Sequence, residues 1–201
     1  MDAAAPMVSD DLERWMAGDG DKTLGGLVAM FEEKAFAIVF VVLLGVPALP
    51  LPTGGATHVF EIIATLLALQ LIAGRDRIWL PERWLRLELA GPRQQKFLRG
   101  LLRLIRALER ISKPRLRFLF NHRISNAVFG LLVIGGCVGA FFAPPFTGLD
   151  TLPALGVVLV SLGVLLEDIA IVATGVVIGA GGVLLEIILG KAAVHEVKRL
   201  F

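Results

Sequence analysis

The stretch GVPALPLPTGG, from Gly45 to Gly55, interrupts an apolar run that would otherwise read as one long membrane-crossing segment. A related stretch, GAFFAPPFTGLDT, runs from Gly139 to Thr151. Five residues recur between them at a constant spacing of 94: Gly45, Pro50, Thr53, Gly54 and Thr57 correspond to Gly139, Pro144, Thr147, Gly148 and Thr151. Because proline lacks an N–H and disfavours helix in the residue before it, neither stretch can be helical throughout. The sequence therefore predicts two similar helical hairpins, each broken by proline and glycine.

The composition of the chain indicates a membrane protein. Of its 201 residues, 56% are hydrophobic, and the mean hydropathy is +0.76. The apolar residues lie in blocks, at residues 35–50, 57–74, 126–143 and 151–190. Blocks of this kind are typical of bilayer-embedded helices. We therefore predict an all-α integral membrane protein, in which a basic amphipathic cytoplasmic helix joins two similar Pro/Gly-broken hydrophobic hairpins.

The chain divides into five segments by composition. The first 34 residues are polar and acidic, the reverse of a signal peptide, so we expect no cleavage there. The predicted segments are an acidic N-terminal tail (1–34), a first membrane hairpin (35–74), a basic cytoplasmic segment (75–123), a second membrane hairpin plus a further helix (124–190), and a C-terminal tail (191–201).

The net charge of +2 hides a strong asymmetry. Between Arg75 and Arg123 there are 14 Lys and Arg residues against four acids, which gives this segment a charge of +10. Lys and Arg concentrate in cytoplasmic loops of membrane proteins, so we place residues 75–123 in the cytoplasm. A basic segment held at a membrane meets anionic lipid more readily than nucleic acid, and we expect no nucleic-acid partner.

Within this segment, FLRGLLRLIRALERI is predicted to form an amphipathic helix. Its apolar side chains follow helical spacing, and its opposite stripe is basic. The basic stripe comprises Arg99, Arg103, Arg106 and Arg110, which we predict to contact the lipid surface. The same pattern is expected of a helix that packs its apolar side against a neighbouring cytoplasmic helix, and both arrangements can hold at once.

The depth of the two breaks stays open at this stage. Residues 35–49 would give about 22 Å of helix, short of the roughly 30 Å hydrocarbon core, which slightly favours a re-entrant tip over a surface loop. Broken helices whose N-termini attract an anion commonly form transporter substrate sites, with Thr57 and Thr151 here as N-caps and Pro153 in a first turn. Duplication and packing alone explain the repeat as well. The predicted substrate-binding residues are Pro50, Thr53, Gly54, Thr57, Glu61, Arg75, Arg77, Pro144, Thr147, Gly148 and Thr151.

Acidic residues inside the apolar blocks are further candidates, because ionisable groups in a membrane are costly and often functional. Glu61 lies three residues after His58, which is compatible with a proton-linked or hydrogen-bonded pair, or with a solvated interfacial pair. Glu167 and Asp168 predict that the chain turns at a surface. The alternative, buried carboxylates paired with an arginine, is less favoured because burying charge in a membrane is costly. Asp150 and Glu186 are the remaining acids of these blocks.

The sequence offers no catalytic constellation and no metal site, so we predict neither an enzyme nor a cofactor. There is no GxSxG motif, and zinc needs three or four protein ligands where His58 and Glu61 supply two. The single cysteine, Cys137, forms no disulfide within the chain and is expected to be a small buried side chain. The GxxxG from Gly175 to Gly179 predicts a helix-packing face.

Four segments together resemble the ExoD family of bacterial exopolysaccharide synthesis proteins. They are LPLPTGG (49–55), LLALQLIAGRDRIWLPERWLR (66–86), RALERISKPRLRFL (106–119) and LVSLGVLLED (159–168). The resemblance implies a multi-pass protein of the bacterial inner membrane, needed for exopolysaccharide production and, in some members, for tolerance of alkaline conditions. It implies no catalytic mechanism. The acidic N-terminal tail and the Glu167-Asp168 pair depart from the family pattern.

Three functional hypotheses follow. The first is a component of exopolysaccharide synthesis or export that binds or transports a phosphate-bearing lipid or another anion between the two breaks. The second is proton or ion coupling through Glu61 and Asp150, which would connect with alkali tolerance. The third is a membrane scaffold whose basic helix recruits anionic lipid or polysaccharide-synthesis components. Oligomeric state is not predicted.

Overall fold

The computed structural model describes residues 7–49, 57–75, 77–112, 122–143 and 148–200. Its helices, in chain order, are α1 (Val8–Ala17), α2 (Leu24–Phe31), α3 (Ala35–Leu44), α4 (His58–Ile72), α5 (Glu82–Leu85), α6 (Pro92–Ile111), α7 (Arg123–Phe142), α8 (Thr151–Leu165) and α9 (Ile169–Leu200), with a 3-10 turn at Glu32–Lys34. These ranges contain no strand, and an isolated antiparallel bridge joins Thr23 to Glu88. The predicted all-α class is confirmed.

Helix α3 lies at the centre of the molecule. All ten of its residues are apolar, and all but Val42 are buried. A helix that is apolar on every side must be surrounded on every side. Helices α2, α4 and α8 pack against it, and the ring of Phe40 meets Phe129 of α7 edge to face at 5.5 Å.

The predicted hairpins correspond to α3 with α4 and to α7 with α8. Helix α3 packs against α8, and α4 packs against α7, so exchanging the two hairpins would preserve these contacts. Helices α4 and α8 both have 15 residues, preceded by Thr57 and Asp150. The first residues of α4 and α8 are 93 positions apart, whereas matching residues of the Pro/Gly motifs are 94 positions apart. The duplication itself stays a prediction.

This shift in register corrects the predicted helix caps. Thr57 is the N-cap residue of α4, but its side chain makes no capping hydrogen bond. Thr151 is the first residue of α8 and not its cap, because its N–H already bonds the carbonyl of Gly148 at 3.3 Å in the preceding turn. Asp150 therefore takes the N-cap position, and Pro153 lies in the first turn, as predicted.

The C-termini of α4 and α8 end in the same hydrogen-bond pattern, in which a left-handed residue reverses the chain. That residue is Gly74 after α4, with φ +79°, and Glu167 after α8, with φ +55°. The carboxylate of Glu167 pairs with Lys34 Nζ at 2.9 Å, and Lys34 also donates to the carbonyl of Leu165 at 3.1 Å. Glycine is preferred at such a position, so the ion pair helps to offset the strain of a glutamate there.

The chain turns between α8 and α9 at the acidic pair, as the sequence predicts. The surface position expected of both acids is wrong for Asp168, which is only 2% exposed. Its Oδ1 accepts a hydrogen bond from the N–H of Ala170 at 2.9 Å. Capping α9 satisfies this carboxylate without exposing it.

Helices α8 and α9 approach closely through glycines. A Cβ on Gly156 would lie 2.4 Å from the Cα of Gly179, and one on Gly175 would lie 2.6 Å from the N of Val160. The predicted packing role of Gly175 and Gly179 is thus confirmed. Helix α9 continues to Leu200, through residues that composition assigned to a C-terminal tail, since no proline ends it.

The acidic segment 1–34 includes two helices that pack on the rest of the protein. In α1, Leu12 and Trp15 are buried. Glu13 pairs with Arg106 of α6, and the N–H of Ser9 donates to Oε1 of Glu109 at 3.0 Å. An amphipathic α1 therefore covers part of α6.

Helix α6 is the predicted amphipathic helix, and its apolar stripe is occupied by protein. The buried residues are Leu98, Leu101, Leu102 and Ile105. They belong to the same hydrophobic core as α3 and α8. The packing interpretation of this helix therefore holds, and its basic side faces outward together with the side chains of Leu104 and Ile111.

Among the residues that the structure describes, two helices are long and apolar enough to cross a membrane: α7, with 20 residues, and the Ile169–Leu189 part of α9, with 21. Only 33% of the apolar window of α7 and 17% of that of α9 are buried in the protein, unlike a core helix of a soluble protein. Exposed apolar side chains form stripes that include Val59, Ile62, Leu66 and Leu69 on α4, Val128, Leu131 and Val138 on α7, and Val177, Leu184 and Ile188 on α9. Soluble monomers rarely expose continuous apolar surface of this kind.

The glycine contact between α8 and α9 gives a direct test of the fold. We expect Gly156→Ala to lower the stability of the detergent-solubilised protein by about 1–3 kcal/mol, because the new methyl group meets backbone that cannot rotate away. Gly181→Ala is the matched control, since a Cβ there meets nothing within 4 Å and alanine favours helix by up to about 1 kcal/mol. Thermal unfolding followed by tryptophan fluorescence measures both. Equal melting temperatures for the two variants would contradict the packing.

Candidate functional site

The helix ends that border the two breaks lie close together. The imidazole of His58, at the start of α4, lies 4.8 Å from the ring of Phe141, at the end of α7. A Cβ on Gly139 would contact Pro153, in the first turn of α8. We call this end of the molecule, where α4 and α8 begin and α7 ends, the break end. At the opposite end, the guanidinium of Arg123 lies against Gly74.

Glu61 lies at the break end, one turn into α4, and is 1% exposed. Its Oε2 is 2.8 Å from Nδ1 of His58. Its Oε1 is buried and has no hydrogen-bond partner within the ranges that the structure describes. A buried polar atom without a partner is costly, so this carboxyl is a candidate functional group rather than a structural one.

Two neutral polar side chains lie beside Glu61. The hydroxyl of Thr65, one turn further along α4, donates to the backbone carbonyl of Glu61 at 2.8 Å. The thiol of Cys137 on α7 interacts with both Thr65 and Glu61. Neither group brings a positive charge to the carboxyl.

Two more carboxyls face the same region. Glu61 interacts electrostatically with Asp150, the N-cap residue of α8. Glu186 of α9 interacts with both, and its Oε1 is buried without a partner among the described residues. Three helices therefore contribute one carboxyl each to what we call the carboxyl cluster, namely Glu61, Asp150 and Glu186.

The chemistry of the carboxyl cluster is limited by its composition. Helix α3 adds only apolar side chains, and in the described structure Glu61 pairs with the imidazole of His58. In the described parts of the chain, no group of three or more His, Cys, Asp or Glu side chains is arranged to hold a metal ion. The arrangement is suited to binding protons, since a carboxyl that is buried in an apolar setting and interacts with other acids is neutralised at least cost by a proton.

The structure divides the predicted substrate-binding residues between the two ends. Thr57, Glu61, Gly148 and Thr151 lie at the break end. Arg75 and Arg77 follow α4 at its other end, and both are exposed. About 22 Å of helix separates the two groups. The other five residues lie outside the described ranges: Pro50, Thr53, Gly54, Pro144 and Thr147.

The predicted lipid-contact residues all lie along α6. Arg99, Arg103 and Arg110 are exposed. Arg106 is partly covered by its pair with Glu13. The Nε of Arg99 donates to the carbonyl of Gln95 at 3.2 Å, which holds this side chain along the helix.

Sequence reasoning did not include Glu186, Thr65 or Cys137 in the site. A lone acid in an apolar block marked Glu186 as unusual, but nothing in the sequence says that α9 returns to the start of α8. Thr65 and Cys137 carry no such signal, because a threonine or cysteine in an apolar helix is ordinary packing. Their contact depends on the pairing of α4 with α7.

A family model and one of two curated relatives carry the same family name. The family described as "Exopolysaccharide synthesis, ExoD" matches residues 8–188. An uncharacterised protein of Synechocystis sp. is 31% identical over 145 residues, which cover 72% of this chain and 68% of that protein. Protein ExoD of Rhizobium meliloti is 31% identical over 147 residues, which cover 73% of this chain and 61% of that protein. No solved structure matches the chain.

The match over residues 8–188 includes every helix that contributes to the carboxyl cluster. On this evidence the chain belongs to the ExoD family, a family related to exopolysaccharide synthesis.

Proposed function

We propose that this protein is a multi-pass protein of the bacterial inner membrane that supports exopolysaccharide production by binding and transferring protons at its carboxyl cluster. The observation that carries the proposal is the Glu61 carboxyl, which is 1% exposed and has an oxygen without a partner among the described residues. It faces two further carboxyls from α8 and α9.

Electrostatics favours a proton as the ligand. Glu61 is 1% exposed, so its charged form is poorly solvated, and repulsion from the carboxylates of Asp150 and Glu186 adds to that cost. A bound proton removes one charge and turns a carboxyl into a hydrogen-bond donor, which a neighbouring carboxylate can accept. The cluster can therefore hold protons in more than one arrangement, which is what a proton-transfer site requires.

The same charges argue against an anion at this end. The N-termini of α4 and α8 do lie there, and helix N-termini attract negative charge. That attraction is already opposed by Asp150 at one N-terminus and Glu61 one turn into the other. Arg75 and Arg77 are too far along α4 to compensate. A phosphate-bearing lipid between the breaks is therefore the weaker hypothesis.

The membrane placement rests on helix length and charge. Helices α7 and α9 supply two full spans. Helices α4 and α8 are each about 22 Å long and α3 is about 15 Å, all short of the hydrocarbon core, so we propose that the break end lies at membrane depth, in a cavity open to water on the periplasmic side. The basic segment 75–123 puts the opposite end on the cytoplasmic side.

A second function, recruitment of anionic lipid or of polysaccharide-synthesis components, is supported by the exposed arginines of α6. Because the apolar stripe of α6 packs inside the protein, this contact would be electrostatic, without insertion of the helix. Charge reversal at Arg99 and Arg103 should then reduce the amount of anionic lipid that co-purifies with the protein. A higher salt concentration should reduce it as well. Unchanged lipid recovery would exclude this function.

Glu61→Gln tests the proton-transfer function. We expect purified protein in liposomes, driven by a membrane potential, to acidify the lumen, as reported by an enclosed pH-sensitive dye. Glutamine keeps the size of the side chain but cannot exchange a proton, so the initial rate should fall by about 100-fold or more. In cells, the same variant should grow less well at high pH than at neutral pH and yield less exopolysaccharide.

Glu82→Gln is the matched control, because Glu82 is an exposed glutamate of α5 far along the chain from the carboxyl cluster. Its proton flux should equal that of the parent protein. If Glu61→Gln shows the same proton flux as the parent protein and Glu82→Gln, the proposed function is excluded.

Reporter fusions test the orientation. The turn at Leu166–Asp168 lies with Lys34 at the end opposite the breaks, so a fusion after Asp168 should report the cytoplasm, as should one after Ser112. Helix α9 then runs to the break end, so a fusion at the chain terminus should report the periplasm. A terminal fusion on the same side as Ser112 would contradict this orientation.

A further inference from the structure

His58 differs from the other members of the site in its access to solvent. The side chain of His58 is 31% exposed, whereas that of Glu61 is 1% exposed, although their Nδ1 and Oε2 atoms are only 2.8 Å apart. The imidazole therefore joins a buried oxygen to the exterior of the protein. Asp150 and Glu186 are the other titratable groups that face Glu61 from α8 and α9, and Cys137 faces it from α7.

The position of the imidazole is fixed from its other side. The ring of Phe141 lies 4.8 Å from it, tilted by 49°, and Phe141 in turn meets Phe142 edge to face at 5.6 Å. This contact restricts rotation of the imidazole, which keeps Nδ1 directed at Glu61. The opposite nitrogen, Nε2, cannot reach the same carboxyl, because the two ring nitrogens point away from each other.

We propose that His58 is the proton relay of the carboxyl cluster and that protons enter and leave on the break end through its Nε2. In the inward direction, a proton from water binds Nε2, and the imidazolium then donates its Nδ1 proton to Oε2 of Glu61. The imidazole is left neutral with its proton on Nε2, so one proton enters and one is passed on. Before the next inward transfer, water protonates Nδ1 and removes the Nε2 proton, which restores the starting tautomer with no net change in protons. The reverse steps release a proton. Phe141 acts as a positioning residue.

This inference rests on the proposed function and adds a route to it. Without His58, Glu61 can still hold a proton, but the proton must cross protein to reach water. The relay therefore controls the rate at which the cluster exchanges protons, while Glu61 is required for any exchange.

The test combines His58→Ala with exogenous imidazole in the same liposome flux measurement. We expect His58→Ala to slow proton flux by about 10- to 100-fold and free imidazole, added at equal concentration on both sides, to restore much of the rate by entering the space left by the side chain. His122→Ala is the matched control, because His122 is an exposed histidine before α7, at the opposite end. It should keep the parental rate with and without imidazole.

The variants separate failure of the relay from failure of the proposed function. If Glu61→Gln abolishes flux while His58→Ala keeps the parental rate, His58 is not the relay although the cluster carries protons. If flux in His58→Ala is slow and imidazole does not restore it, the role of His58 is structural and the relay is excluded. Imidazole should not restore flux to Glu61→Gln, because this variant lacks the carboxyl that receives the proton. Restoration of flux in this variant would contradict the proposed route. Parental flux in Glu61→Gln overturns both proposals.

Discussion

The burial of α3 on every side is the constraint on which the rest of the structure depends. A ten-residue helix made only of apolar side chains gains stability only if protein or lipid covers its whole circumference. Here protein provides the cover, through α2, α4 and α8. Because α3 pairs with α8 and α4 pairs with α7, the two hairpins interlock rather than lie side by side. That interlocking places the helix ends that border both breaks at one end of the molecule.

Bringing the breaks together creates the unusual chemistry of the break end. Each hairpin alone would expose its acidic residue to whatever surrounds it. Packed together, they hold Glu61 beside Asp150, and α9 adds Glu186. Burial of a carboxyl among apolar helices costs several kcal/mol when it is charged and unpaired. A protein retains such a group where its change of charge has a use, which is the physical basis for a proton-binding role.

At the opposite end of the molecule, positive charges are present and the acidic side chains have ion-pair or hydrogen-bond partners. Lys34 pairs with Glu167 and covers the last carbonyl of α8, and Asp168 caps α9. The apolar stripe of α6 is filled by protein, and α1 covers part of its polar side. The two ends therefore differ in charge: the opposite end combines basic side chains with paired acids, and the break end holds the carboxyl cluster.

The sequence by itself determined the helical class, the two breaks, the amphipathic α6, the turn at Glu167-Asp168 and the family. These follow from local rules, since proline and glycine interrupt helices wherever they occur and periodicity acts within one element. The caps of α8 were missed by one residue, because the turn at Gly148 begins the helix earlier than the motif implies. The sequence also suggested coupling of Glu61 with Asp150 and pairing of Glu61 with His58. Only the tertiary structure added Glu186 to these acids, showed a buried Glu61 beside a partly exposed His58, and separated Arg75 and Arg77 from them. Those outcomes depend on which helices pair, and pairing depends on contacts between residues far apart in the chain, which no local pattern specifies.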